Sequence, residues 1–258
     1  MPASIAETSA PTLIPDVDNW AILLDVDGTI LDLAPTPRDI RVPPSLRDTL
    51  ERIKVRTSGA TALVSGRTLN DLDGIFAPLK LAAIGGHGAE IRPWPDAAPR
   101  RNDAQPLDPA LRMELAALAT IGSGILFEDK GYSLALHYRL APEKGPFVRQ
   151  AVDAICRRAS QRLELLDGTN VVEVKHLGFS KGTAVRELMA HPPFAGRRPI
   201  FIGDDTTDQA VFAVMPQFRG IAISVRRRVT GVDFHFDTPS EVRAWLERIV
   251  PANEGATA

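Results

Sequence analysis

One cysteine, Cys156, stands in a chain of 258 residues, so no disulfide can form within it and a cross-linked extracellular scaffold is excluded. A lone thiol fits a reducing compartment, and the cytoplasm is the expected location. The stretch from Phe147 to Cys156 reads as an apolar helix face, which predicts a buried or inert thiol. No run of about 18 apolar residues is present to cross a bilayer. The amino terminus also lacks the basic leader and long apolar stretch of a standard secretion signal. Charge of one sign is lacking too: 30 Lys and Arg face 32 Asp and Glu, for a formal net charge of -2. That balance gives no support to a nucleic-acid or polyanion partner. The arginines at 226–228 form one small run, which reads as solvated surface or loop. What the chain does have is 44% hydrophobic residues, enough to bury a core in one large domain or two modest ones.

Apolar runs of strand length alternate with helical patterns in two separated blocks. In the first, strands are expected at Trp20–Leu24, Thr61–Val64, Leu81–Ile84 and Ala89–Ile91. A helix opens at Pro43–Pro44, and another follows Thr68 or Asn70, either of which can cap it. The second block has a helix from Ser180, a strand at Pro199–Ile202, a helix over Thr207–Val214, a strand at Gly220–Ser224 and a helix at Ser240–Ile249. Such alternation predicts an α/β fold with a Rossmann-like, mostly parallel sheet covered on both sides. Between the blocks, after a proline-rich boundary, comes an αββαββ pattern that reads as a small α+β unit with an antiparallel sheet. The expected division is a core of 19–104 and 176–250, an inserted cap of 105–175, and flexible termini at 1–18 and 251–258. A cap inserted at a surface loop can serve as a lid over the reactive edge of the parent sheet. Trp94 and Trp245 are expected in ordinary core packing.

Two acidic clusters sit where the apolar runs end. Asp25 and Asp27 follow Ala21-Ile-Leu-Leu24, and Asp204, Asp205 and Asp208 follow Pro199-Ile-Phe-Ile-Gly203. A parallel sheet presents residues at the carboxyl ends of its strands in this way, and so much negative charge needs a cation. Gly28 permits a tight turn, which lets Asp25 project as a nucleophile with Asp27 nearby as a proton carrier. Thr29 offers a hydroxyl to a phosphate or to the local backbone. Asp204 is the first choice of metal ligand, with Asp25 across the site, while Asp205 and Asp208 can ligate directly or orient a ligated water. All-oxygen donors suit Mg²⁺ better than zinc. Lys181, near a helix start, can neutralise both a phosphate and Asp25. Ser65 can donate to a phosphoryl oxygen, and Arg67, beyond Gly66, can reach substrate or brace its loop. Each feature has a plainer reading when taken alone: turn aspartates, helix capping by the second acidic cluster with Asp208 favoured at the helix amino end, and a solvated lysine and arginine. Asp233, His235 and Asp237 alternate on a late strand and imitate a metal set, but no third strong element converges on them.

Asp25-Val-Asp-Gly-Thr29, Ser65, Lys181 and Gly203-Asp-Asp-Thr-Thr-Asp208, in that order, resemble the haloacid dehalogenase-like phosphatase superfamily. Val64-Ser-Gly-Arg67, Gly86-His-Gly-Ala-Glu90, Asn170-Val-Val-Glu-Val174 and Ser180-Lys-Gly-Thr183 resemble, more narrowly, the trehalose-6-phosphate phosphatase family. The resemblance implies Mg²⁺-dependent hydrolysis of trehalose 6-phosphate through an aspartyl-phosphate on Asp25, with Asp27 as acid and base and its backbone carbonyl on the metal. It implies a substrate site of Thr29, Ser65, Gly66, Arg67 and His87 in the core and Glu128, Lys130, His137, Arg139 and Glu173 in the cap. Each cap residue has its plainer alternative as a turn or solvent-facing strand residue. Lys175-His-Leu-Gly178 departs from the Arg-Pro-containing stretch common before the family's lysine. Other capped phosphatases, acting on sucrose phosphate or a glycosyl-glycerate phosphate, and a noncatalytic phosphosugar-binding module remain alternatives. A monomer is the expected state, though the sequence leaves it open.

Overall fold

The computed structural model describes residues 17–34, 36, 39–101 and 106–251. Of the termini expected to be flexible, residues 1–16 and 252–258 lie outside the described residues, as does the expected boundary at 104/105. The first block contains β1 (Trp20–Leu24), α1 (Pro44–Arg56), β2 (Thr61–Val64), α2 (Leu69–Phe76), β3 (Ala82–Gly85), β4 (Glu90–Arg92) and β5 (Arg100–Arg101). The middle block contains α3 (Pro109–Leu118), β6 (Leu126–Asp129), β7 (Ser133–His137), α4 (Gly145–Arg158), β8 (Leu163–Gly168) and β9 (Val171–His176). The last contains α5 (Lys181–Leu188), β10 (Arg198–Gly203), α6 (Gln209–Phe212), β11 (Ile221–Val225), β12 (Phe234–Phe236) and α7 (Pro239–Ile249).

Eight strands form one sheet in the order β12-β11-β10-β1-β2-β3-β4-β5, parallel from β12 to β3 and antiparallel at β4 and β5. Successive side chains on a strand point to opposite faces, and both faces here are covered. Trp20, Ile22 and Leu24 meet α1, α2 and α7 on one face, while Ala21 and Leu23 meet α5 and α6 on the other. Packing, more than capping, holds these helices. Val242, Trp245, Leu246 and Ile249 of α7 are all buried, each contributing roughly 1.5–3 kcal/mol. The Thr238 hydroxyl that accepts from the Glu241 N–H adds about 1 kcal/mol.

The other four strands form a separate antiparallel sheet, β6-β7-β9-β8. Leu134, Leu136, Val172 and Val174 pack beneath α3 and α4. The alternate residues Glu128, His137 and Glu173 face a cleft against the large sheet.

Two expectations need correction. Trp94 is 46% exposed, because it lies in a bend between Pro93 and Pro95, beyond the end of β4, where no layer covers it. The helix expected over Thr207–Val214 is a 3-10 turn at Thr206–Asp208 followed by the short α6. The carboxylate of Asp208 turns back to accept the N–H groups of Asp204 and Asp205 at 2.9 and 3.0 Å, which tightens that first turn. Cys156, expected to be buried or inert, is half-buried, and burial, with Asp153 nearby, pushes its thiol up to about 11. A neutral thiol of this kind is a poor nucleophile.

Candidate active site

β1 and β10 run side by side with Leu24 opposite Ile202, so the residues that follow each strand emerge at the same edge. Crevices at the carboxyl ends of parallel strands are where open α/β sheets place their sites. Here three carboxylates, Asp25, Asp204 and Asp208, each bring an oxygen within 4.8 Å of the others. Lys181, the first residue of α5, donates to Asp25 Oδ1 at 2.8 Å and to Asp208 Oδ1 at 2.7 Å. Its position is fixed by a capping box in which Ser180 and Thr183 exchange side-chain and backbone hydrogen bonds. Thr29 Oγ1 donates to Asp25 Oδ2 at 2.9 Å and lies 3.4 Å from Asp204 Oδ1. Gly28, at φ +83°, makes this turn possible; a Cβ there would strike the Asp204 carboxylate.

The site carries more carboxylates than cations. Burial raises the Asp25 carboxyl well above its ordinary range; Lys181 pulls it back, while Asp208 and Asp204 push it further up. Asp204 is raised to about 7, by burial first and then by the charges of Asp208 and Asp205. Lys181 moves the other way from what burial favours: Asp208 and Asp25 raise its affinity for a proton. A lysine that stays charged and carboxyls that resist ionisation have one cause, an excess of negative charge in a dry pocket. A divalent cation removes that excess. The donors are all oxygen, as a hard cation requires, and they lie within 4.8 Å of one another.

The structure gathers most of the expected residues around one cleft and moves others beneath it. Asp25, Asp27, Ser65, Gly66, Arg67, His87, Lys181, Asp204 and Asp205 line it from the core, and Glu128, Lys130, His137, Arg139 and Glu173 line it from the cap. Thr29, expected at the substrate, is instead fully buried under Asp25, where its hydroxyl braces carboxylates. Asp208 is also fully buried, with both oxygens occupied by Lys181 and two backbone N–H groups. Asp205 stands outside the three-carboxylate group and accepts from the Thr206 N–H at 2.7 Å. Asp27 is held by Arg67 through two bonds, Nε to Oδ2 at 2.6 Å and Nη2 to Oδ1 at 2.8 Å. Ser65 Oγ accepts from the Arg67 N–H at 3.1 Å.

His87 has a left-handed backbone, φ 55°, between two glycines that also have positive φ. Its imidazole lies so close over Gly66 that any side chain there would collide with it. His87 Nε2 is 3.1 Å from Glu173 Oε2, an ion-pair distance without hydrogen-bond geometry. In the cap, Lys130 donates to Glu173 Oε2 at 2.9 Å, Ser133 Oγ donates to Glu173 Oε1, and His137 Nε2 meets Glu128 Oε2 at 2.7 Å. Burial alone would raise both carboxyls. His87 and then Lys130 hold Glu173 well below its ordinary range, and His137 and Lys130 hold Glu128 below its own. Arg139 donates to the Ala34 carbonyl of the core, and Thr206 Oγ1 to the Asp167 carbonyl of the cap at 2.9 Å, so the two sheets are tied across the cleft.

Arg226 was not anticipated. Its run of three arginines reads as surface, yet Arg226 Nη1 is 3.1 Å from Asp204 Oδ2. The available signal was its place just after β11, the parallel strand beside β10. Asp233, His235 and Asp237 do not converge on a metal: His235 bridges Ser224 Oγ and Asp237 Oδ1 at 3.0 and 3.1 Å.

A parallel sheet with paired aspartates after its first strand, a lysine at a helix start, a second acidic loop and an inserted cap defines a haloacid dehalogenase-like phosphatase, a phosphoric monoester hydrolase. The trehalose-phosphatase family profile matches residues 23–238. A probable trehalose-phosphate phosphatase of Sinorhizobium fredii is 40% identical over 86% of this chain and 84% of its own length. The trehalose-6-phosphate phosphatase of Escherichia coli is 32% identical over 90% of this chain and 87% of its own. The C-terminal domain of the C. albicans trehalose-6-phosphate phosphatase has the same fold, with a TM-score of 0.80 over 96% of this chain and 99% of that one at 19% identity. The chain belongs to the trehalose-phosphatase family.

Proposed function

We propose that this chain hydrolyses trehalose 6-phosphate to trehalose and inorganic phosphate through an aspartyl-phosphate on Asp25. The observation that carries this reading is the placement of Asp25. It is buried at a strand end and bonded by Lys181 and Thr29, and it lines the same cleft as the cap's Glu128, Lys130 and Glu173. A carboxylate oxygen of Asp25 attacks phosphorus, and the bond from phosphorus to the sugar oxygen breaks. The electron pair leaves on that oxygen, which takes a proton from Asp27. Water then attacks the phosphorylated Asp25 at phosphorus and gives a proton to Asp27, and the carboxylate is released. Lys181 and the Ser65 hydroxyl offset charge on the transferring group. Arg67 holds Asp27 through two bonds, and an arriving phosphate competes for that guanidinium, freeing Asp27 for proton transfer.

The residues fit Mg²⁺, which Asp25, Asp204 and the Asp27 backbone carbonyl would hold, and which when bound supplies positive charge against the phosphoryl oxygens. Asp205 and Asp208 brace that set. Glu128, Lys130, His137, Arg139 and Glu173, with His87, offer donors and acceptors to sugar hydroxyls. The division into a core of 19–104 and 176–250 and a cap of 105–175 belongs to this proposal, as does a cytoplasmic location, which the lone thiol supports. No helix among the described residues is long and apolar enough to cross a membrane.

A phosphate-release screen over several sugar phosphates, with Mg²⁺ and with EDTA, tests the proposal. Metal-dependent turnover highest on trehalose 6-phosphate is expected. Turnover of sucrose phosphate or a glycosyl-glycerate phosphate, with none on trehalose 6-phosphate, overturns the substrate. Binding without turnover in Mg²⁺ overturns the enzyme.

A further inference from the structure

Lys175 is a buried cation that the chemistry above does not use. It is 2% exposed, and its ammonium has acceptors for all three of its N–H bonds. Nζ donates to Glu164 Oε2 at 2.6 Å, to the Phe179 carbonyl at 2.6 Å and to the His176 carbonyl at 3.2 Å. It also lies 4.5 Å from the centroid of the Phe179 ring. Glu164 sits on β8 directly opposite Lys175 on β9, within the cap sheet. His176 and Phe179 belong to the passage from β9 into α5, whose first residue is Lys181.

The passage is also held by a backbone bond from the Leu177 N–H to the Arg162 carbonyl at 2.9 Å and by the buried Phe179 side chain. Gly178, at φ +126°, has no neighbouring atoms around the place where a Cβ would be. A cavity lined by Glu164, Lys175, Ser180, Lys181 and Thr207 separates β8 from the start of α5. Lys175 adds a joint of its own between the cap sheet and the segment leading into α5, because the His176 and Phe179 carbonyls both accept from its ammonium. Burying a charge is costly unless it is fully paired. Removing it would leave a carboxylate and two carbonyls without their donor in the space it filled.

We propose that Lys175 is a positioning residue that locks the strand-to-helix linker and so sets Lys181 against Asp25. It acts through the Phe179 carbonyl, one residue before the Ser180 cap of α5, and it fixes the angle at which the cap leaves the core. This inference rests on the reading of Lys181 as the partner of the phosphoryl-accepting Asp25.

The test compares the full chain with Lys175→Met and Lys175→Arg, each assayed at the same interval below its own Tm. Substrates are trehalose 6-phosphate and p-nitrophenyl phosphate, and hydrogen–deuterium exchange is followed over residues 176–182. Lys175→Met is expected to lower kcat on both substrates about tenfold or more, with a smaller change in KM, and to speed exchange in the linker. Lys175→Arg, which keeps the charge and donors, is expected to recover a large part of both. A merely structural lysine would lower Tm while leaving kcat and linker exchange at the values of the unaltered chain, and that result overturns the proposal. So does a loss of kcat with the linker unchanged. If Lys175→Met does not fold, Glu164→Gln weakens the same clamp from its half-exposed partner. It should speed linker exchange and lower kcat by about threefold; no change in either overturns the proposal. If the unaltered chain turns over p-nitrophenyl phosphate and not trehalose 6-phosphate, the substrate reading fails, and the Lys175 comparison is decided on p-nitrophenyl phosphate.

Discussion

In the core, Asp25, Asp204 and Asp208 crowd within 4.8 Å of one another around the ammonium of Lys181, with Arg226 at the edge. In the cap, Glu173 has Lys130 and the Ser133 hydroxyl about it together with His87 from the core, and Glu128 has His137. Both regions bury carboxylates, but the outcomes are opposite: the core acids are raised and the cap acids are lowered. The cap acids are balanced, by Lys130 and His137 of the cap and by His87 reaching over from the core. The core acids are not, and that deficit suits the core to a divalent cation, while under the proposed function the balanced cap offers its polar groups to the sugar.

Substitution of the nucleophile separates the regions most sharply. Asp25→Asn should lower kcat for phosphate release by about 10⁴-fold or more and leave the fold intact, since it removes a charge from an overcrowded pocket. Near-normal turnover by this variant would remove Asp25 from the mechanism. Lys181→Met should cost about 10²- to 10³-fold in kcat, read in the same assay on trehalose 6-phosphate and on p-nitrophenyl phosphate alike. A loss confined to one ester would contradict its assignment to the phosphoryl group.

Glu173→Gln tests the cap. Its kcat/KM on trehalose 6-phosphate should fall about 10- to 100-fold, through KM more than kcat, and much more steeply than on p-nitrophenyl phosphate, which has no sugar to read. Equal losses on both esters would make Glu173 a structural strut.

The smallest effect is in pH dependence. With Mg²⁺ removed by EDTA, folded Asp204 binds its proton up to about pH 7, whereas the unfolded residue releases it near 3.9. Its contribution to stability is therefore fully present below the unfolded value and lost as pH rises through about 7. Asp25 acts in the same direction. Glu173 and Glu128, with lowered values, lose their contribution only as pH falls below the ordinary carboxylate range, outside a scan from pH 5 to 8. Stability of the metal-free protein should fall over that interval. Asp204→Asn should flatten the slope and raise Tm at pH 8 by roughly 2–4 °C. Mg²⁺ should bind more weakly as pH drops through 7, because the proton competes for the same oxygen. A flat apo profile would break the contrast between the two regions.

These differences track what could be read before the structure. Asp25, Asp27, Asp204 and Lys181 lie in short contiguous motifs after apolar runs, so local chemistry and strand ends sufficed to single them out. The cap face was harder. Glu128, His137 and Glu173 share one face only through the two-residue strand period and the pairing of β6 and β9 across β7, in which Ala135 stands opposite both Glu128 and Glu173. Thr29 and Asp208 were legible as members of the motifs but not as buried braces, because their burial depends on neighbours far along the chain. Arg226 had only its place after an apolar strand run as a sign, and Lys175 had none: an arginine in a basic run and a lysine on an alternating strand are ordinary surface residues until folding places a carboxylate or a carbonyl beside them.

The order of apolar runs, turn glycines and acids along the chain was sufficient for an α/β sheet with carboxylates at its strand ends and an α+β insertion, since hydrophobic period and backbone preference are local properties. The charge balance that divides core from cap was decided by tertiary structure, because a carboxylate's environment is set by which distant cations and how little water come within a few ångströms of it.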